Sequence, residues 1–375
     1  MKLCVFPNDS IQSYHDKGEI KTRYFNPNNL FSEVHIISPS ENDIDETKVK
    51  SIIGDAILKI HPIGRLTLLN YRSKLEKIKK IVHEIHPDVI RSYNPLMQGW
   101  LASKTANEFE IPFVLSIHNN YDKDVRNFYK KTKNLKQYLK FWYTGKFIEP
   151  FVISNAKKII CVYRFLVPYV KRLGGVEIEV IYNRIDLSNF SPQIEPQYKF
   201  DEKTIIYVAR FDAEKNHECL INAIKDLNVK LILIGKGALY KKLTNLTKKL
   251  QIENKVIFIK SVPNEQLAKY YTSADIFATP IKQGGVSIPM LEAMACGLPL
   301  IITTREPNET EDIDDVVMFS NNTAEDFRFA INTLTNDEKL RNDMIKKGLE
   351  KVKLFDSKIM EEKEETLYKN LLNLN

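Results

Sequence analysis

The 375-residue sequence lacks several features that would narrow its class at once. Its four cysteines, Cys4, Cys161, Cys219 and Cys296, form no Cys-x-x-Cys pair, which argues against a disulfide framework or a zinc site. No apolar run approaches the ~20 residues that a helix needs to span a bilayer. Polar residues follow the first apolar stretch, so the amino terminus predicts a buried strand and not a signal peptide. These absences favour a cytoplasmic protein with reduced thiols.

The composition is that of a folded chain, with 43% apolar and 27% charged residues and no low-complexity tract. This length is long for one domain and comfortable for two. Short apolar strands alternate with amphipathic stretches, a pattern typical of a parallel α/β fold. Strands are predicted at 2–6, 33–37, 88–90, 112–117, 158–162, 177–181, 203–209, 230–234, 256–259, 275–278, 298–302 and 316–319. Two sets of about six strands predict two doubly wound domains, 1–190 and 191–355, with a linker at 191–198 that carries two prolines.

One segment indicates a ligand more directly than any other. From Gly284 to Pro299 the sequence predicts a bare loop that leads into a short buried helix, with Pro289 in its first turn and Gly297 just past its end. The unpaired amides at such a helix start form an anion site. The amides assigned to this site are those of Gly285, Val286, Ser287 and Ile288. Glu292 lies one turn inside and can accept hydrogen bonds from a polyol, although a carboxylate that only favours the helix dipole is the alternative. A phosphate and a diol together describe a sugar nucleotide.

Two cations could stabilise a departing diphosphate. Arg210 ends a buried strand, where ligands bind in open α/β sheets, and Lys215 follows five residues later. A guanidinium and an ammonium that converge on one diphosphate supply the charge that a metal otherwise would. The alternative is that both are ordinary surface cations among the 55 of the chain.

Divalent-metal chemistry finds less support. The pairs Asp43/Asp45 and Asp312/Asp314 have the spacing of a metal-binding Asp-x-Asp motif, but neither follows a convincing strand near the predicted pocket. We therefore expect no metal and no cofactor.

Taken in order along the chain, these motifs resemble those of the retaining GT-B glycosyltransferases of family 4. The resemblance rests on Glu292 with its Ala-x-Ala-x-Gly-x-Pro tail, on Asn183 to Asp186, on 208–216 and on 234–237. The chain departs from the family pattern at Gly284, where the family has its first Glu. It also lacks the Gly-Gly loop after the first strand, where only Gly18 is present.

The resemblance implies a fold of two Rossmann-like domains that face a central cleft, with the C-terminal helix 356–375 crossing back to the first domain. It implies transfer of a sugar with retention from a UDP- or GDP-linked donor to a saccharide or lipid-linked acceptor. Arg210 and Lys215 would contact the donor diphosphate, Glu292 the ribose, and His118 the transferred sugar, although a lone His is often structural. Gly235, Gly237, Ser261 and Val262 would flank the base. Asn94 and Gly18 are candidates for the acceptor side.

The segment 123–146 concentrates positive charge, with eight basic residues against the single acid Asp124. Eight aromatic or leucine side chains lie in the same segment. Such a helix can lie on the anionic inner face of the cell membrane or hold an anionic lipid-linked acceptor. Alternatively, its apolar residues pack on the core and its lysines face water. Nucleic-acid binding through this segment ranks last, because the chain has no recognisable nucleic-acid motif, and we expect no nucleic-acid partner.

Two further functions stay open from the sequence. An epimerase on the same fold would bind the donor and release a rearranged sugar nucleotide. The second is a catalytically weak protein that binds a sugar nucleotide, which Gly284 suggests because it stands where the family has its first Glu.

Overall fold

The computed structural model describes residues 1–18, 20–67, 69–281, 285–306 and 309–374. The chain divides into two compact units, which are Met1–Tyr182 with Met360–Asn375, and Asn183–Ile359. The first boundary falls ahead of the linker at 191–198 because Ile185 belongs to the second unit. Its backbone exchanges hydrogen bonds with Phe355 and Ser357 there, at 3.2 and 2.7 Å.

The first unit is built on a sheet of seven parallel strands. They are β1 (Lys2–Phe6), β2 (Glu33–Ser38), β3 (Ile57–Pro62), β4 (Val89–Tyr93), β5 (Phe113–Ile117), β6 (Lys158–Cys161) and β7 (Ile178–Val180). Their spatial order is β3-β2-β1-β4-β5-β6-β7, the doubly wound arrangement, in which the order reverses beside β1. The apolar pattern of the sequence did not predict β3. This edge strand is only partly buried, with Leu58 its one fully covered side chain, so it gives a weak apolar signal.

Helices cover this sheet and connect its strands. They are α1 (Ile11–Asp16), α2 (Tyr71–Ile85), α3 (Met97–Glu108), α4 (Asn127–Lys131), α5 (Leu135–Tyr143), α6 (Glu149–Ser154) and α7 (Val167–Arg172). Short 3₁₀ turns lie at Pro27–Asn29, Glu46–Ile53 and Arg164–Leu166. Two π-helical turns, Tyr121–Arg126 and Thr144–Ile148, flank α4 and α5.

The second unit contains a sheet of six parallel strands. They are β8 (Lys203–Val208), β9 (Val229–Ile234), β10 (Val256–Ile259), β11 (Ile276–Thr279), β12 (Leu300–Thr303) and β13 (Val317–Ser320), in the order β10-β9-β8-β11-β12-β13. The helices are α8 (His217–Ile224), α9 (Tyr240–Lys249), α10 (Asn264–Tyr271), α11 (Ile288–Ala295), α12 (Ala324–Asn336) and α13 (Glu338–Val352), with 3₁₀ turns at Leu187–Asn189, Ala213–Lys215 and Lys353–Phe355. Each of the twelve predicted strands has a counterpart in one of the two sheets. The prediction of two Rossmann-like α/β domains is confirmed.

The C-terminal helix α14 (Ser357–Leu371) packs on the first sheet, as predicted. The buried guanidinium of Arg91 on β4 forms an ion pair with Glu364 and donates to the Tyr368 hydroxyl at 3.0 Å. Glu361 accepts from the Arg23 guanidinium at 2.9 Å. Because a buried ion pair broken on one side is strongly destabilising, these contacts fix the helix to the first unit.

None of the helices that the structure describes is long and apolar enough to cross a bilayer. All four cysteines are free and buried.

Candidate active site

Arg210 and Lys215 lie together at the carboxyl end of β8. Arg210 is the second residue after the strand and Lys215 ends a 3₁₀ turn. Their side-chain nitrogens approach the same atom, Oε1 of Glu214, at 3.7 and 3.1 Å. Asp212 adds a second carboxylate oxygen 3.3 Å from the Arg210 guanidinium. The Arg210 side chain is 72% exposed and that of Lys215 is 23% exposed, so a ligand can reach Arg210 from solvent.

Two glycines determine where the Arg210 loop runs. A Cβ at Gly235 would overlap the Ala209 carbonyl oxygen, and one at Gly237 would lie 2.5 Å from the Phe211 carbonyl oxygen. The Phe211 amide donates to the Lys236 carbonyl at 2.8 Å, which continues the β8–β9 pairing beyond the strands. Only glycine permits this close approach of two main chains. Gly235 and Gly237 therefore position the Arg210 backbone.

The start of α11 has the open loop that the sequence predicts. Pro289 is its second residue, and the Ser287 carbonyl accepts from the amides of Met290 and Leu291. Within the described residues, no backbone carbonyl accepts from the four preceding amides, which are those of Gly285, Val286, Ser287 and Ile288. Gly284 lies outside the described residues. The geometry is that of a helix start able to bind an anion.

Glu292 is buried inside α11, where Sequence analysis placed it one turn from the helix start. Its Oε2 accepts from the Tyr271 hydroxyl at 2.8 Å, and its Oε1 accepts from the side-chain amide of Asn264 at 3.4 Å. Burial, and then the neighbouring Glu292, raises the pKa of Tyr271 well above its usual value, so the phenol keeps its proton and donates.

Helix α10 connects this carboxylate to the Ser261–Val262 turn. Asn264 begins the helix two residues after Val262, and Tyr271 ends it. One helix thus joins the turn that is predicted to flank the base to the carboxylate that is predicted to bind the ribose. Sequence reasoning missed Tyr271, because nothing in the spacing of 21 residues signals its contact with Glu292.

In the first unit, Asn94 and His118 meet at the carboxyl ends of β4 and β5. The Asn94 side-chain oxygen accepts from the His118 amide at 3.1 Å. Asn94 is buried in a left-handed conformation, φ 75°, which Asn tolerates better than most residues. The Tyr93 ring contacts both the Arg91 guanidinium, 4.7 Å from its centroid, and the His118 ring, 5.6 Å away.

His118 is neutral at physiological pH in this setting. Burial, and then the Arg91 charge, lowers the pKa of its imidazole to about 4. Its Nε2 is buried without a hydrogen-bond partner in the described part of the chain. A neutral imidazole with an unused nitrogen can bind a sugar hydroxyl.

Other candidates from the sequence lie elsewhere. Gly18 follows α1 in a left-handed turn, φ 70°, with open space around it. Asp43 accepts from the amides of Ile11 and Gln12, and Asp45 accepts from the Thr47 amide at the start of a 3₁₀ turn. These carboxylates cap local structure.

Helix α5 shows which apolar side chains of the basic segment are exposed. None of its nine residues is buried. Leu135, Leu139 and Trp142, which share one helix face, are 66, 52 and 47% exposed. These three side chains therefore do not pack on the core, whereas Phe141 on the same helix does.

Hydrogen bonds to one buried carboxylate hold the basic segment in place. The Arg126 guanidinium donates to both oxygens of the fully buried Glu149, at 2.7 and 3.0 Å. The Tyr169 hydroxyl and the Thr144 hydroxyl donate to the same carboxylate, at 2.6 and 3.0 Å. Four hydrogen bonds to one buried carboxylate thus anchor the chain next to α5.

The sequence matches two family models in succession. Residues 32–189 match Glycosyltransferase Family 4, and residues 191–351 match Glycosyl transferases group 1. An uncharacterised glycosyltransferase of Methanocaldococcus jannaschii is 25% identical over 336 residues, with 86% of each chain covered.

A transferase of Campylobacter jejuni is 27% identical, with 71% of this chain and 70% of its own covered. Its name describes transfer of N-acetylgalactosamine to a glycosylated diphospho-undecaprenol. Among solved structures, sucrose-phosphate synthase of Thermosynechococcus elongatus superposes with a TM-score of 0.73 at 17% identity, with both chains covered entirely. The fold of this chain is shared with that enzyme.

Proposed function

Since the chain belongs to glycosyltransferase family 4 and is a glycosyltransferase, we propose that it transfers a sugar from a nucleoside diphosphate donor, UDP- or GDP-linked, to a saccharide or lipid-linked acceptor. We propose further that the reaction retains the anomeric configuration and needs no metal. The observation that carries this proposal is the approach of Arg210 and Lys215 to one oxygen of Glu214.

In this proposal a diphosphate oxygen takes the place of the Glu214 oxygen. The bond between the anomeric carbon and the phosphate oxygen breaks, and its electron pair passes to the diphosphate. Arg210 and Lys215 stabilise the charge that develops there. The acceptor hydroxyl attacks the same face of the sugar, and its proton passes to the leaving phosphate. Because both cations are in place beforehand, little reorganisation is needed.

The neighbouring groups would position the donor. Glu292, held by Tyr271, would accept from the ribose hydroxyls, and the amides from Gly285 to Ile288 would bind the phosphate or sugar. The turn of Ser261 and Val262 would flank the base. In the first unit, the unused Nε2 of His118 would bind a hydroxyl of the transferred sugar, with Asn94 fixing its loop.

Hydrolysis of a panel of nucleotide sugars tests the donor proposal. We expect slow nucleotide release that survives chelation of divalent ions and falls about 10²- to 10³-fold in Arg210→Ala or Lys215→Ala. Lys203→Ala is the matched control, because Lys203 is a cation at the opposite end of β8. Nucleotide release that chelators abolish, or that both variants retain, would overturn the proposal.

Two outcomes of the same panel would favour the alternatives. A rearranged sugar nucleotide formed without acceptor would indicate an epimerase. Tight donor binding without turnover on any acceptor would indicate a binding protein.

We also propose that the α5 face binds the anionic inner surface of the cell membrane, which would make this a peripheral cytoplasmic protein. Exposed apolar side chains flanked by Lys136, Lys140 and Lys146 suit such a surface. The buried, free cysteines agree with a reducing compartment.

Vesicle binding tests this surface. In a Trp100→Phe background Trp142 is the only tryptophan, so its fluorescence should shift to the blue with phosphatidylglycerol vesicles and not with phosphatidylcholine vesicles. Leu139→Glu should abolish the shift, whereas Phe329→Glu, an exposed apolar residue on α12, should not. Equal response to neutral vesicles would contradict the proposal.

A further inference from the structure

The first unit contains a pocket of about 680 Å³ at the carboxyl edge of its sheet. That volume is within the range of small-molecule sites. Five parts of the chain line it, which are the loops after β1, β2 and β3, the start of α3, and the end of α5 with the π-helical turn that follows it. Neither Asn94 nor Gly18 is among the described residues that line it. The pocket therefore differs from the acceptor side expected from the sequence.

The charge of the pocket rim is positive. Arg65 and Lys140 both line it and are exposed. Among the described lining residues the one acid is Asp9, which forms an ion pair with Lys17 at 2.7 Å, so its charge is compensated. An arginine and a lysine in the lining of one pocket suit a phosphate group.

The inner wall is apolar and fixed. Leu66, Leu96, Met97 and Ile148 contribute to it. The loop after β1 is held in place where the Gln98 side-chain amide donates to the Asn8 carbonyl at 2.9 Å. A ligand that combines an anionic group with an apolar part fits this lining.

The pocket lies beside the exposed face of α5, at residues about 100° round the helix from that face. Tyr143 lines the pocket and follows Trp142 of that face, while Lys140 follows Leu139. A molecule with an apolar chain on this face can thus place its head group in the pocket. The ion pair of Arg126 with Glu149 holds the α5 end of the wall in place.

We propose that this pocket is the acceptor site and that it takes the phosphate-bearing head group of a lipid-linked acceptor. The lipid chain lies along Leu139 and Trp142 while Arg65 and Lys140 bind the phosphate. This proposal rests on the transferase function proposed above and names the acceptor class for it.

Binding of a short-chain lipid to the full chain tests the pocket. The probe is dihexanoylphosphatidylglycerol below its micelle concentration, followed through Trp142 in the Trp100→Phe background. We expect saturable binding that weakens at least about tenfold in the double variant Arg65→Ala/Lys140→Ala. The matched control is Lys130→Ala/Lys133→Ala, two exposed lysines from the same segment outside the pocket lining, which should bind as before. Unchanged affinity in the pocket variant, or an equal loss in the control, would overturn the proposal.

Two further ligands test which phosphate-bearing group the pocket recognises, and one activity assay separates the two proposals. Dihexanoylphosphatidylcholine should bind at least about tenfold more weakly, and equal binding would show that net negative charge is not recognised. Glycerol 3-phosphate should also bind weakly, and an affinity equal to that of the lipid would overturn the lipid-linked assignment. Wild-type donor hydrolysis, measured alongside, reports on the transferase function independently, so failure of one proposal is distinguishable from failure of the other.

Discussion

The two sheets present different kinds of candidate site at their carboxyl edges. In the second unit, main chain builds the site, because Gly235 and Gly237 lie directly against the loop that carries Arg210. In the first unit, side chains build it, because the Asn94 side chain accepts from the His118 amide and the Arg91 guanidinium packs on the Tyr93 ring. A site built from main chain is damaged by adding an atom, whereas a site built from side chains is damaged by removing one. Substitutions in each unit test this contrast.

Removal of the Arg91 charge should have the largest effect on stability. Arg91→Met leaves Glu364 buried without its partner, and we expect a loss of about 3–5 kcal/mol in the free energy of unfolding. The double change Arg91→Met/Glu364→Leu should recover most of this loss, since the uncompensated charge is then gone. Urea unfolding measures both. A single variant within about 1 kcal/mol of wild type would show that the C-terminal helix does not depend on this pair.

Addition of one methyl group should damage the second unit. Gly235→Ala forces the Ala209 carbonyl aside, and we expect about 1–3 kcal/mol of destabilisation. Because Arg210 moves with that backbone, nucleotide release should fall about a hundredfold. Gly174→Ala is the control, since its φ of 93° strains a side chain but its Cβ meets only Ser154 at 3.4 Å. Equal loss of activity in both variants would remove the argument for a backbone-built site.

Stability should fall with acid because of His118. Its folded pKa of about 4 lies below the ordinary value of ~6.5, so between these values the unfolded chain binds a proton that the folded chain excludes. The stability due to this group is present above pH 6.5 and is lost as pH falls towards 4. Between pH 7 and 5 it amounts to about 2 kcal/mol.

The variant His118→Asn isolates this contribution. His61 and His217 also have pKa values lowered to about 4, but they titrate equally in both proteins. Urea unfolding at pH 7 and 5 should show a smaller loss in the variant. The same loss in both would mean that His118 titrates normally.

The smallest effect is expected from one hydroxyl. Tyr271→Phe removes a hydrogen bond to the Glu292 carboxylate and should cost about 1.5 kcal/mol of stability. Donor affinity should also fall, because Glu292 is no longer held. Calorimetric titration with the nucleoside diphosphate checks the second part, with Tyr270→Phe, its neighbour on α10, as control. Unchanged affinity would separate Tyr271 from the donor site.

Much of the architecture was predictable from local pattern. Strands buried on both faces read as short apolar runs, which is why twelve of the thirteen were found and the half-exposed β3 was not. Arg210 and Lys215 could be paired because they are near in sequence and follow a strand end. The contact between Glu292 and Tyr271 could not, because it joins two helices.

Helix α5 shows the limit of composition most clearly. Its apolar residues are compatible with either a core or an exposed face, and the sequence alone could not choose. The sequence determined the alternating elements, the strand-end cations and the open start of α11, because these depend on local spacing. Only the tertiary structure decided that α5 leaves its apolar face uncovered, that Arg91 ties α14 to the first sheet, and that His118 stays neutral. Each of these depends on which distant side chains exclude water from a group, and that is fixed when the chain packs.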